Sequence, residues 1–210
     1  VYISNAYSQP VAVIDQATYS EVKAALGITL IDRVARSYLV SDNDMVKLNQ
    51  LRQLLPNALI TTYTYKPLVG ITSSTEPNEQ TTYYEYDGLG RLKKSNYPDG
   101  TQAVITRAWS SDANSVFSIT KEETAKPSQT TFYNSRGLEL RTSSQRFDNT
   151  RILTDNIYDN AGRLTKTSLP FKTGAATLWN TYEYDVYGRL KQLNYASGKS
   201  DVYTYAGNSI

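Results

Sequence analysis

The chain has no cysteine and no histidine. The first absence excludes a disulfide framework and any thiol nucleophile. Together they exclude Ser-His-Asp and Cys-His catalytic arrangements, and zinc held by His or Cys. Lack of cysteine does not fix the compartment. Net charge is only +2 over 210 residues, and no basic run exists, so nothing indicates a nucleic-acid or membrane-surface partner. No apolar run approaches the ~18 residues of a transmembrane helix. No signal peptide is visible, and no Gly-rich phosphate loop with its Lys appears. Phenylalanine is scarce, four residues against 18 tyrosines. Amphipathic tyrosine rings suit surfaces that are half buried or wet. The length fits one or two domains with a sizeable core.

What is abundant is a phrase. It reads Tyr86-Asp87-Gly88-Leu89-Gly90-Arg91-Leu92, then Tyr158-Asp159-Asn160-Ala161-Gly162-Arg163-Leu164, then Tyr184-Asp185-Val186-Tyr187-Gly188-Arg189-Leu190. A degenerate copy is Tyr133-Asn134-Ser135-Arg136-Gly137-Leu138. Recurrence at twenty to thirty residues marks a repeat architecture. In such proteins the recurring residues usually build the scaffold, and function lies on the surface it makes.

Each copy follows an alternating, Tyr/Thr-rich stretch, such as Thr82-Tyr83-Tyr84-Glu85-Tyr86. Period-two alternation of such residues predicts a half-buried strand. Asp or Asn then opens a turn and Gly closes it three residues later at positive φ. The chain returns as a second strand, giving a longer-loop hairpin. A further turn follows each return, at Pro98-Asp99-Gly100, Pro170 to Gly174 and Ala196-Ser197-Gly198. Weaker copies begin at Tyr65, Trp109 and Tyr205, so successive intervals run 21, 23, 24, 25, 26 and 21 residues. The prediction is an antiparallel meander over 59–210, with Tyr and Leu on one face and Lys, Glu and Thr on the other.

Residues 15–58 interrupt that pattern. Asp15 or Thr18 is placed to cap a helix through Leu26, stopped by Gly27. Ser41 or Asp42 is placed to cap a second, with Met45, Leu48, Leu51 and Leu55 on one face and Pro56 as the stop. Residues 28–40 show no clear period. The expected organisation is therefore first repeat strands at 1–14, a two-helix insertion at 15–58 packed on the sheet, and the meander from 59 onward. Both ends fall inside repeats, which reads as a piece of a longer chain.

Chemistry is sparse. Glu85 with Asp87, and Glu183 with Asp185, are the only paired carboxylates in a glycosidase-like placement. Turn formation already accounts for each Asp, so the chain reads as a non-enzyme. Ser41 to Asp44 and Asp155 to Asp159 are acidic, but neither has calcium-loop spacing. No catalytic, cofactor or metal residue is assigned. Arg91, Arg163 and Arg189 follow the turn glycines and are expected to pair with acidic or carbonyl neighbours or to lie over Tyr rings.

Phrase, period and second turn together resemble the RHS/YD-repeat family. The carriers are Tyr84 to Leu92 with Pro98-Asp99-Gly100, and Tyr182 to Leu190. The motif residues carried over are Tyr86, Asp87, Gly90, Arg91, Tyr133, Asn134, Gly137, Tyr158, Asp159, Gly162, Arg163, Tyr184, Asp185, Gly188 and Arg189. The resemblance implies a mainly β fold in which repeated hairpins form a curved, coiled sheet. It implies a secreted or surface bacterial protein whose shell encloses a C-terminal effector. The implied partners are the remaining repeats, that effector, and secretion machinery or other chains. The family's self-cleaving core segment has no match, so this stretch is expected to be wall. An adhesion or carbohydrate-binding surface around Trp109 or Trp179 is the competing class.

Overall fold

The computed structural model describes residues 1–206, and these form two compact units, one over 1–103 and one from Val104 onward. In the first unit, β1 (Tyr2–Ser4), β2 (Pro10–Asp15), β3 (Leu59–Lys66), β4 (Gly70–Thr75), β5 (Thr81–Tyr86) and β6 (Leu92–Asn96) pair consecutively and antiparallel. Chain order equals sheet order, as short connections favour.

Three helices interrupt this meander between β2 and β3, not two. α1 (Tyr19–Leu26) starts at Thr18, whose side chain accepts from the Glu21 N–H while the Glu21 carboxylate accepts from the Thr18 N–H at 2.7 Å. This reciprocal capping satisfies two otherwise orphaned donors. Gly27 ends α1 at φ 75°, and α2 (Ile28–Arg36) begins at once. α2 does carry an apolar stripe, with Leu30 and Val34 buried and Ile31 half-buried, but it is nine residues long and Gly27 gives it no side-chain cap, so it lacks the start signal that marks α1 and α3. Ser41 caps α3 (Asp42–Leu54), accepting from the Asp44 N–H at 3.2 Å.

The apolar core of this unit lies between the helices and one sheet face. Ile3, Val11, Ala12, Ile14 and Ile60 meet Val22, Leu30, Val34, Met45, Leu48 and Leu51. Each such large side chain contributes about 1.5–3 kcal/mol by leaving water. Arg52 ties α3 to the strands: its Nη2 donates to the carbonyls of Ile60, Thr75 and Glu76 at 2.8, 2.9 and 3.2 Å.

In the second unit, β7 (Gln102–Trp109) leads to β8 (Phe117–Glu123), β9 (Gln129–Tyr133), β10 (Glu139–Gln145), β11 (Arg151–Tyr158) and β12 (Leu164–Ser168). After them come β13 (Phe171–Lys172), β14 (Trp179–Tyr184), β15 (Leu190–Asn194) and β16 (Ser200–Val202). From β8 on, pairing is again sequential, except that β13 folds back on β11 and leaves β12 to pair with β14. Among the described residues no α-helix occurs here. The turns fall at 88–89, 135–136, 160–161 and 186–187. The fold is therefore mainly β, built of repeated antiparallel hairpins with a helical insertion near the N-terminus.

One expectation is corrected. Thr does not share the exposed face with Lys and Glu. Thr62 is 1% exposed beneath α3 and donates to Asn49 Oδ1 at 2.8 Å. Thr64 bonds Thr72 and Ser73, and Thr75 bonds Thr81. Short hydroxyl side chains allow close packing while satisfying one another, so they occupy buried positions without the cost of a lone polar group.

Candidate functional site: the Tyr-Asp hairpins and their contacts

Asp87 closes its turn through both side-chain oxygens. Oδ1 accepts from the Leu89 and Arg91 N–H groups at 2.9 and 3.0 Å, and Oδ2 from Arg91 Nε at 2.8 Å. Asp159 accepts from the Arg163 N–H and Nε at 2.9 and 2.7 Å. Asp185 accepts from the Tyr187 N–H, the Arg189 N–H and Arg189 Nε at 2.9, 2.9 and 2.8 Å. Asn134 reproduces the backbone part, accepting from the Arg136 and Leu138 N–H groups at 2.9 and 3.0 Å. Hydrogen bonds to the charged form hold a carboxyl below its ordinary range. Those from the Arg91 and Arg163 backbones lead for Asp87 and Asp159. For Asp185 burial pushes upward most strongly, and the bonds from Arg189 and Tyr187 together outweigh it.

Tyrosine hydroxyls reach backward. Tyr158 donates to the Glu139 carbonyl at 3.0 Å, Tyr184 to Leu164 at 2.8 Å and Tyr205 to Leu190 at 2.7 Å. Each acceptor lies two residues past the preceding turn glycine, at 137, 162 and 188. Tyr86 donates to Ile71 and Tyr65 to Pro10, both at 2.7 Å. Burial pushes the Tyr158 and Tyr184 hydroxyls up from their ordinary range.

Arginines reach forward. Arg136 Nη1 donates to the Asn160 carbonyl at 3.1 Å. The Arg163 guanidinium lies 4.9 Å from the Tyr184 ring centre and that of Arg189 4.3 Å from Tyr205. The Arg163 and Arg189 guanidinium groups thus each hold their own Asp and the ring of the next repeat. Sequence reading anticipated acidic, carbonyl and Tyr-ring partners for Arg163 and Arg189 but not which repeat supplies each, nor the carbonyls that the Tyr hydroxyls reach. The signal available was the fixed offset between each Tyr and the preceding Gly.

Two copies depart. Tyr133 stacks on Phe117, with centroids 4.8 Å apart and planes 10° apart. Trp109, aligned with the motif tyrosines by interval, is 89% exposed instead of half buried.

The carboxylate pairs are already engaged. Glu85 accepts from Asn96 Nδ2 at 3.0 Å and Glu183 from Asn194 Nδ2 at 3.2 Å, while their Asp neighbours hold turns. The acidic clusters are dispersed likewise. Asp44 forms a two-pronged pair with Arg33 at 2.9 and 2.6 Å, and Asp155 with Arg141 at 2.5 and 2.7 Å. The Arg33 hydrogen bonds hold the Asp44 carboxyl below its usual range. Among the described residues, no helix is long and apolar enough to cross a membrane.

Residues 69–102, covering β4 to β6 and their turns, match the family model described as RHS Repeat. No curated protein matches the chain. Among solved structures, the chain is similar to "Crystal Structure of TcdB2-TccC3-Cdc42" at 15% identity and a TM-score of 0.47, covering 70% of this chain and 8% of that one. It is similar to "Crystal Structure of TcdB2-TccC3" at 16% and 0.48, covering 70% and 8%. It is also similar to "Crystal Structure of TcdB2-TccC3-TEV" at 18% and 0.38, covering 79% and 7%. The chain spans less than a tenth of the length of those chains. Residues 69–102 thus match the RHS repeat, and the hairpin of that stretch recurs at 158–164 and 184–190.

Proposed function

We propose that this chain is a non-catalytic wall segment of a secreted RHS/YD-repeat protein whose β-shell encloses an effector domain. The observation that carries this reading is where the motif's polar atoms go. Asp87, Asp159 and Asp185 each close their own turn, Arg136, Arg163 and Arg189 reach the next repeat, and the Tyr158, Tyr184 and Tyr205 hydroxyls bond the previous one. Motif groups engaged in this way within the sheet serve its assembly. Enclosure of an effector, export from a bacterial cell, and partnership with the remaining repeats follow from the family resemblance.

Protease protection on the full-length natural gene product tests this. Under native conditions a protease should spare the enclosed portion. A combined Tyr158→Phe, Tyr184→Phe variant, which loses two links between hairpins, should speed its cleavage. If every region outside the repeats is cut as fast as when isolated, the enclosure is wrong.

A further inference from the structure

We infer that the first unit carries a docking point for an arginine side chain of a partner polypeptide, on the sheet face turned away from the helices, between Tyr63 on β3, Tyr84 on β5 and Glu76. Thr62 lies beneath α3, so its neighbour Tyr63 faces the other way. Tyr63 is paired with Ser74, Ser74 with Thr82, and Tyr84, two residues on, with Ser95. Paired residues share a face, so the two rings stand over a floor of buried Ser74 and Ser95. Glu76 follows two residues after Ser74, exposed, and accepts from the Ser74 hydroxyl at 3.1 Å.

This set lacks a cation. Among the described residues, Glu76 forms no ion pair, and the half-buried Tyr63 and Tyr84 hydroxyls have no hydrogen-bond partner. Burial pushes both hydroxyls up from their ordinary range, and the Glu76 carboxylate adds to it for each. No cation offsets it at Tyr63. Arg52 feels the Glu76 charge, but its terminal nitrogens are committed to Asn49 and to the carbonyls of Ile60, Thr75 and Glu76.

The second unit shows what such a set holds. Arg163 donates to the Asp159 carboxylate at 2.7 Å while lying 4.9 Å from the Tyr184 ring centre. Arg189 does the same with Asp185 at 2.8 Å and Tyr205 at 4.3 Å. A guanidinium is planar, stacks on rings and donates to a carboxylate at once. The first unit offers ring and carboxylate without the arginine. Other occupants fit less well. An anion would meet Glu76, and an apolar side chain would leave the carboxylate and two hydroxyls unpaired. An added strand needs an open edge, yet β3, β4 and β5 are paired on both sides. The net charge of +2 gives no general attraction for a basic peptide, so binding must be local. The site does not depend on enclosure of an effector.

The test titrates the acetylated, amidated peptide Gly-Arg-Gly-Arg-Gly into the chain by calorimetry, beside counterparts carrying lysine, citrulline or glutamate in place of arginine. The arginine peptide should bind saturably with a Kd below about 1 mM. The citrulline and glutamate peptides should bind about tenfold or more weakly, and the lysine peptide about threefold. Glu76→Gln, at an exposed position, should weaken arginine binding about three- to tenfold, and Tyr84→Leu by a similar factor. No saturable binding up to roughly 10 mM, equal binding of the citrulline peptide, or full affinity in a folded Tyr84→Leu variant each overturns the site. Lysine bound as tightly as arginine overturns the choice of a guanidinium. If Tyr84→Leu does not fold, unchanged affinity in Glu76→Gln overturns the site.

Discussion

Gly162 sits where one hairpin meets the next. It takes φ +84°, and a Cβ built there would lie 2.6 Å from Arg136 Nη2 and 3.2 Å from its Cζ. A guanidinium can swing away, but it then leaves the Asn160 carbonyl. Gly162→Ala therefore combines left-handed strain, about 1–2 kcal/mol, with a weakened contact of about 0.5–1.5 kcal/mol. Gly90 has φ +73° and nothing within 4 Å of the added carbon, so Gly90→Ala should show strain alone. Thermal midpoints should rank Gly162→Ala below Gly90→Ala, and an Arg136→Ala background should erase most of the difference. Equal midpoints with Arg136 present would refute the inter-repeat contact. The sequence marks both glycines as turn exits and treats them as equivalent. Their difference comes from an arginine 26 residues upstream, which no local pattern reveals.

The elements themselves respond to acid through their turns. Asp87, Asp159 and Asp185 have folded pKa values below their ordinary ones. A depressed folded pKa supplies stability that is present above the unfolded value near ~3.9 and is lost as pH falls through the folded value. A triple variant with Asp87→Asn, Asp159→Asn and Asp185→Asn keeps the amide acceptors but loses the ion pairs. Its thermal midpoint should start lower at neutral pH and fall less between about pH 5 and pH 2. An acid limb superimposable on that of the unmodified chain would show that these carboxylates do not govern it. Legibility at this scale followed the strength of local signals. Tyr-Asp turns announce themselves because backbone demands and side-chain chemistry coincide within seven residues. α1 and α3 show caps and stops. α2 carries a short stripe but no side-chain cap, since Gly27 both ends one helix and precedes the next. The buried Thr and Ser positions were invisible as well, because alternation reports polarity, and hydroxyls satisfied by one another break its link to exposure.

At the scale of the molecule, the outer strand matters most. β16 pairs with β15, and its three residues are exposed. An unsatisfied strand edge templates further pairing. The chain should associate with increasing concentration, and Val202→Lys, a charge on that edge strand, should shift sedimentation toward the monomer. A chain that stays monomeric at high concentration would remove this edge as a site of association.

The opposite reach of Tyr and Arg gives the sheet a grammar. Hydroxyls point to the repeat before and guanidinium groups to the repeat after, so the hairpins at 158–164 and 184–190 are each both the host of one neighbour and the guest of the other. Insert a whole repeat, and each new junction finds its partners at the usual offsets. Insert half of one, and a tyrosine meets no carbonyl while an arginine meets no ring. The contacts that fasten this sheet thus also quantise its length: it can be long or short, but only in whole repeats.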